Sequence, residues 1–156
     1  MLYIALENIR SLYNVGAILR TCSFFGIKNV LLVGYSGKNV LPGGKVTIHE
    51  KLRKTDLGSD NDLQIDFLDD SEHLLKFAKE NKLKLVAIEQ DEKSILLNNW
   101  KLTPDMIIVF GNERDGVSKL IRQNADEIIE IARNGKHNSL NVATTAGIVI
   151  DHIVRK

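Results

Sequence analysis

Three polar clusters lie far apart along the chain, and each follows a short apolar run. In the first, Asn8-Ile-Arg-Ser-Leu-Tyr-Asn14-Val-Gly16-Ala-Ile-Leu-Arg20-Thr21, a polar loop enters a helical pattern. At 100° per residue Arg20 sits about 140° round from Val15, while Ile18, Leu19 and Cys22 stay within about 60° of it. Arg20 therefore faces solvent or a partner. Asn14 could cap the helix and Gly16 could allow close packing, with Arg20 an ordinary surface charge. The second cluster, Met106-Ile-Ile-Val-Phe-Gly111-Asn112-Glu113-Arg-Asp-Gly116-Val-Ser118, ends a buried strand where α/β sheets bind ligands. Gly111 would let backbone approach a ligand closely, and Glu113 could orient a cation or a hydroxyl. A tight strand-to-helix turn capped by Ser118 is the plainer alternative. In the third, Ile128-Ile-Glu-Ile131-Ala-Arg133-Asn-Gly135-Lys-His-Asn-Ser139-Leu140-Asn141-Val-Ala-Thr-Thr-Ala-Gly147, Ser139 could be an N-cap. Asn141, just inside the first turn, gains little from helix propensity, so its placement suggests a hydrogen-bonding duty.

Positioning these groups needs a framework. Apolar runs at Leu2–Leu6, Val30–Val33, Leu85–Ile88, Met106–Phe110 and Ile128–Ile131 are short and mostly continuous, which suits parallel strands buried on both faces. Between them lie helical stripes, Val15, Ile18, Leu19 and Cys22 in one and Leu74, Leu75 and Ala78 in another, the latter after possible caps at Asp70 or Ser71. A final helix is expected from Leu140 to about Val154. The alternation predicts an α/β domain, a mostly parallel sheet flanked by helices. Tyr35–Lys45, rich in glycine, reads as a long loop. Its Gly44-Lys45 is not a phosphate-binding loop, because Asn39 stands where the first glycine is required and Val46 follows the lysine.

At 156 residues the chain fits one domain, and its 44% hydrophobic and 26% charged content is that of a globular unit. No run approaches the roughly 20 apolar residues that span a bilayer, and no signal peptide is visible, so no membrane association and a cytoplasmic location are expected. Cys22 is the only cysteine, which excludes an internal disulfide and a cysteine-built zinc cluster. The four histidines lack metal-ligand spacing, so no metal is expected. With 21 basic and 20 acidic residues, any nucleic-acid footprint must be a local patch.

Taken together and in order, the three clusters resemble the SpoU/TrmH branch of the SPOUT methyltransferases. That family's motifs look like Asn-x-Gly-Ala-x-x-Arg-Thr, Gly-x-Glu-x-x-Gly-x-Ser and Ser-Leu-Asn-Val, and all three match here. The resemblance covers essentially the whole chain, with Leu57-Gly58 and Glu89-Gln90 also similar to intervening features, and without the family's RNA-binding extensions. It implies a single domain over residues 1–156 with a deep C-terminal trefoil knot, which topology rules alone would argue against. It also implies a homodimer, for whose helical interface Val142, Ala146, Val149, Ile150 and Ile153 are as suitable as they are for a core.

The implied activity is S-adenosylmethionine-dependent methylation of a ribose 2′-hydroxyl in tRNA or rRNA, with S-adenosylhomocysteine as product. Carried over by motif position, Asn14, Arg20, Glu113, Ser139 and Asn141 look like the catalytic set. Ile88, Glu89, Gly111, Asn112, Ile131 and Leu140 look like the donor pocket. Arg114, Arg133 and Lys136 adjoin the motifs and are candidate RNA contacts; Lys45, Lys51, Arg53 and Lys54 are weaker ones. Neutral arginine near pH 7 costs on the order of 7–9 kcal/mol, a severe obstacle to a general base. Arg20 is therefore expected to grip the RNA phosphate and stabilise the developing alkoxide, with Asn14, Ser139 and Asn141 fixing the ribose and Glu113 orienting Arg20. Two other readings share parts of the pattern, a non-catalytic nucleotide- or RNA-binding module and a knotted enzyme that modifies a base.

Overall fold

Runs of Val, Ile and Leu without polar interruption need a sheet covered on both faces. The computed structural model describes residues 1–54 and 62–156, so Leu57 and Gly58 lie outside the described residues. In chain order its strands are β1 (Leu2–Glu7), β2 (Asn29–Val33), β3 (Lys38–Val40), β4 (Val46–Ile48), β5 (Gln64–Leu68), β6 (Lys84–Ile88), β7 (Ile95–Leu96), β8 (Met106–Phe110) and β9 (Glu127–Glu130). The helices are α1 (Leu12–Phe24), α2 (Ser71–Glu80), α3 (Lys119–Asn124) and α4 (Val142–Val154). Seven strands form one sheet in the order β5-β2-β1-β8-β6-β9-β7, and every pairing in it is parallel.

Strand residues alternate between two cores. Ile4, Leu6, Ile108 and Phe110 pack with Val15, Ile18 and Leu19 of α1 and Val149 and Ile150 of α4. On the other face Ala5, Ile107 and Val109 pack with Leu74 of α2 and Ile121 of α3. All five residues of β8 are buried, and each large aliphatic side chain so placed contributes about 1.5–3 kcal/mol. Cys22 belongs to the α1 stripe, and burial pushes its thiol pKa up to about 12, which leaves it an inert packing residue.

The structure corrects several expectations. The segment read as a loop over residues 35–45 carries β3, whose antiparallel partner β4 begins just past it at Val46. β5 was not visible as a strand because Gln64-Ile-Asp-Phe-Leu alternates at a sheet edge, where one face is only partly covered. The last helix begins at Val142 and is capped by Asn141, not by Ser139. Ala146, Val149 and Ile150 are fully buried, and Val142 and Ile153 pack against them, so these positions serve the core of the chain. Among the described residues no helix is long and apolar enough to cross a membrane.

One buried charge steers the fold toward the site. Glu7, 1% exposed at the end of β1, accepts hydrogen bonds from the Ser118 N–H (2.8 Å), the Ser118 hydroxyl (2.6 Å) and the Ser71 hydroxyl. Ser118 caps α3 with the same oxygen, accepting from the Ile121 N–H. A carboxylate ending an otherwise apolar run was the available signal for this clamp, which ties β1 to the starts of α2 and α3.

Candidate active site

In a parallel sheet all carboxyl ends point the same way, so segments leaving neighbouring strands meet above one edge. β1, β8, β6 and β9 are neighbours, and they feed the three motif clusters and Glu89 into that edge. The loop after β1 is held by a full set of backbone bonds. Asn8 N–H donates to Val33 O (3.2 Å) and Ile9 N–H to the buried Ser36 hydroxyl (2.8 Å). Arg10 N–H donates to Glu113 Oε2 (3.1 Å) and Ser11 N–H to Glu113 Oε1 (3.0 Å). Ser11, which sequence reasoning passed over, is also the N-cap of α1, accepting from the Asn14 N–H. The spacing Ser-x-x-Asn before an apolar stripe was its signal.

Asn14 is thus not the cap. Buried inside the first turn, at 5% exposure, it donates from Nδ2 to Glu113 Oε1 (3.1 Å) and accepts at Oδ1 from Asn141 Nδ2 (3.0 Å). Asn141 Oδ1 accepts from the N–H groups of Ala143 (2.8 Å) and Thr144 (3.2 Å) and so caps α4. A carboxylate only accepts and backbone N–H only donates, so both amides have one possible orientation. A single relay from Glu113 through Asn14 to Asn141 therefore joins the three motifs. Within the chain the Glu113 carboxylate holds Asn14 and the loop after β1.

Partial burial raises the Glu113 pKa, but the hydrogen bonds from Ser11, Asn14 and Arg10 outweigh it and leave the group below its ordinary value of 4.5. A carboxyl whose folded pKa is depressed contributes stability that is complete above the unfolded value and lost as pH falls through the folded one. Glu113→Gln is expected to lower the denaturant midpoint near pH 7 and to flatten the acid loss that wild type suffers below about pH 4.5. Denaturant titrations across that range check it, and parallel curves for the two proteins would contradict it.

The loop after β8 closes on itself. Asn112 and Gly116 exchange two backbone bonds of 2.9 Å, and Asn112 Oδ1 accepts from the N–H groups of Arg114 and Asp115. Its Nδ2 donates to Asn8 O (2.7 Å) and to the Tyr35 hydroxyl (2.9 Å). The Asn112 side chain is therefore fully engaged in holding the loop. A Cβ on Gly111 would lie 2.2 Å from Gly116 C and Val117 N, so the backbone this glycine admits is the chain's own and not a ligand's. Gly116, at φ +69°, lies under Glu89 Oε2, and Glu89 accepts from the N–H groups of Val117 (3.0 Å) and Gln90 (2.9 Å).

These loops and residues 131–141 enclose a cavity of about 670 Å³, within the usual range for small-ligand sites. Ile88, Ile131 and Leu140 supply apolar wall, and Glu89, Gly111, Asn112, Glu113, Ser139 and Asn141 also line it. So do Arg114, Arg133 and Lys136. Arg133 Nη1 is bonded to Asn138 Oδ1 (2.8 Å), and Gln90 Nε2 to Asn138 O (2.9 Å), which fixes the last loop. Ser139 is exposed, and its hydroxyl has no hydrogen bond among the described residues. Arg20 does not line the cavity and is exposed without a polar partner among the described residues. Six residues beyond Asn14, it lies about 9 Å farther along α1 and about 120° round it. No group of three or more His, Cys, Asp or Glu that could hold a metal ion is found among the described residues.

The chain matches the SpoU rRNA Methylase family over residues 1–151. An uncharacterized tRNA/rRNA methyltransferase of Mycobacterium sp. (strain KMS) is 28% identical over 99% of this chain and 46% of its own length, so the chain spans about half of that relative. The TrmH/SpoU tRNA modifying enzyme of A. aeolicus superposes with a TM-score of 0.82 at 27% identity, over 99% of this chain and 74% of that one. The AdoMet-bound rRNA methyltransferase of Sinorhizobium meliloti superposes at 0.83 with 22% identity, over 99% and 56%. With its motifs joined by one hydrogen-bonded relay and the family match running over nearly its whole length, the chain belongs to the SpoU rRNA methylase family.

Proposed function

We propose that the chain is an S-adenosylmethionine-dependent RNA methyltransferase that modifies a ribose 2′-hydroxyl of tRNA or rRNA, as one domain with the trefoil threading of its family. The observation that carries this reading is the Glu113–Asn14–Asn141 relay at the mouth of a ligand-sized cavity. The donor fits: Ile88, Ile131 and Leu140 offer apolar contact for its adenosine portion, and the Sinorhizobium relative of the same fold holds AdoMet. When bound, S-adenosylmethionine supplies a methyl group activated by the positive sulfonium.

The residues of the chain then position the ribose and stabilise its charge, and the 2′-hydroxyl proton passes to solvent as the oxygen takes the methyl group. Asn14, being buried, acts through Asn141, whose Nδ2 keeps a second hydrogen for a ribose oxygen, and Ser139 offers a free hydroxyl beside it. A cation is still needed where the alkoxide develops. Arg20 lies on an outward stripe of α1 with Tyr13 and Phe24, which are 68% and 82% exposed, and α4 turns out Ile148 beside that helix. Large exposed side chains on two packed helices suit a second copy of the chain. In such a homodimer Arg20 from one copy completes the cavity of the other and grips the RNA phosphate, with Arg114 and Lys136 on the rim.

Incubation with methyl-labelled S-adenosylmethionine and undermodified total RNA, followed by nucleoside mass spectrometry, tests this directly. The expected product is a 2′-O-methylnucleoside. A labelled base would assign the chain to the base-modifying reading, and donor or RNA binding without transfer would assign it to the non-catalytic one.

A further inference from the structure

Among the described residues, three buried side-chain polar atoms lack a hydrogen-bond partner, Thr103 Oγ1, Arg122 Nε and His152 Nε2, and of these residues only Arg122 lines the cavity. Its backbone is fixed in α3, where the N–H donates to Ser118 O (3.0 Å). Among the described residues its guanidinium has no carboxylate partner, and Glu130, which lines the same cavity, has no side-chain hydrogen bond or ion pair. Opposite charges that share a cavity without pairing are arranged for a ligand carrying both signs. Of the other charges there, Glu89 and Glu113 accept from N–H groups, Arg133 holds Asn138, and Arg114, Asp115 and Lys136 are exposed on the rim.

We infer that Arg122 and Glu130 form the subsite for the zwitterionic amino-acid head of the methyl donor, an inference that rests on the donor reading above. Arg122 takes the α-carboxylate through its guanidinium fork, and Glu130 takes the α-ammonium. The carboxylate is the only anionic group of S-adenosylmethionine, and a guanidinium with an unmet N–H is the matching donor. Arg122 lies outside the three clusters, and Glu130 lies in the strand leading into the third, outside its Ser-Leu-Asn-Val motif, so the motifs gave no sign of the subsite.

Calorimetric titration with S-adenosylhomocysteine, which carries the head, and 5′-methylthioadenosine, which lacks it, separates the possibilities. Arg122→Met is expected to weaken S-adenosylhomocysteine about tenfold or more and to leave 5′-methylthioadenosine within about twofold. Arg122→Lys should fall between, and Glu130→Gln should share the selective loss. Equal weakening of both nucleosides would mean that Arg122 only supports the wall and would overturn the subsite. Loss of RNA affinity with unchanged S-adenosylhomocysteine would overturn it in favour of a phosphate contact. If wild type binds S-adenosylhomocysteine and Arg122→Met binds it equally, the subsite alone fails; if wild type does not bind it, the donor reading fails as well.

Discussion

Arg20→Ala is expected to slow methyl transfer about 100- to 1,000-fold, the usual loss when one donor to a developing oxyanion is removed. Binding of S-adenosylhomocysteine should change by no more than about twofold, because the proposed partner of Arg20 is the RNA phosphate and not the donor. The α1 core stripe is untouched, since Arg20 is exposed on the opposite side from Val15, Ile18 and Leu19. Unfolding midpoints should accordingly move little. Arg20→Lys keeps the charge but not the planar fork, and should recover only part of the rate. Single-turnover rates alongside donor titrations check the set. Full activity in a folded Arg20→Lys protein would show that bidentate recognition is unnecessary.

Gly111→Ala should be the most damaging small change in the site. The added methyl would meet Gly116 C and Val117 N at 2.2 Å and Gly116 O at 2.4 Å, all backbone atoms. They cannot rotate away as a side chain could. The loop they belong to is also pinned by the Asn112–Gly116 bonds and by the Asn112 side chain. Overpacking of this kind costs about 1–3 kcal/mol. A displacement of about 1 Å at Glu113 would pass through Asn14 to Asn141, and such misplacement can cost on the order of 100-fold in rate. Denaturant unfolding and initial rates should fall together. Near-native stability with near-native rate would mean that the loop shifts without disturbing the relay.

Much of this arrangement was legible in the residues, for identifiable reasons. Continuous apolar runs marked β1, β2, β6, β8 and β9 because strands covered on both faces leave no polar positions. β7 escaped because two residues carry no periodicity, and β5 because its alternation at an edge is weak. Asn141 was flagged by its poor fit to a helix interior, and its duty proved to be double, capping α4 and bonding Asn14. The partners inside the site were less legible. Glu113 was a plausible mate for a cation by charge alone, yet its contacts are two backbone N–H groups and an amide, which no side-chain pattern encodes. Gly111 invited a ligand reading, and only the folded loop places Gly116 in the space it leaves. Arg122 stood outside every motif.

The proposed site is shared between two copies, with the relay in one and Arg20 from the other. Mixing two defective proteins tests it most directly. Arg20→Ala keeps the relay. Asn141→Ser keeps an N-cap for α4, since serine caps well, but breaks the bond to Asn14. After subunit exchange, a mixed dimer holds one cavity with an intact relay facing an intact Arg20. Equal mixing should therefore restore 2′-O-methylnucleoside formation to about a quarter of the wild-type rate, while each variant alone stays nearly inactive. If exchange is complete and the mixture is no more active than its components, Arg20 acts within its own chain or not at all, and the shared site is wrong.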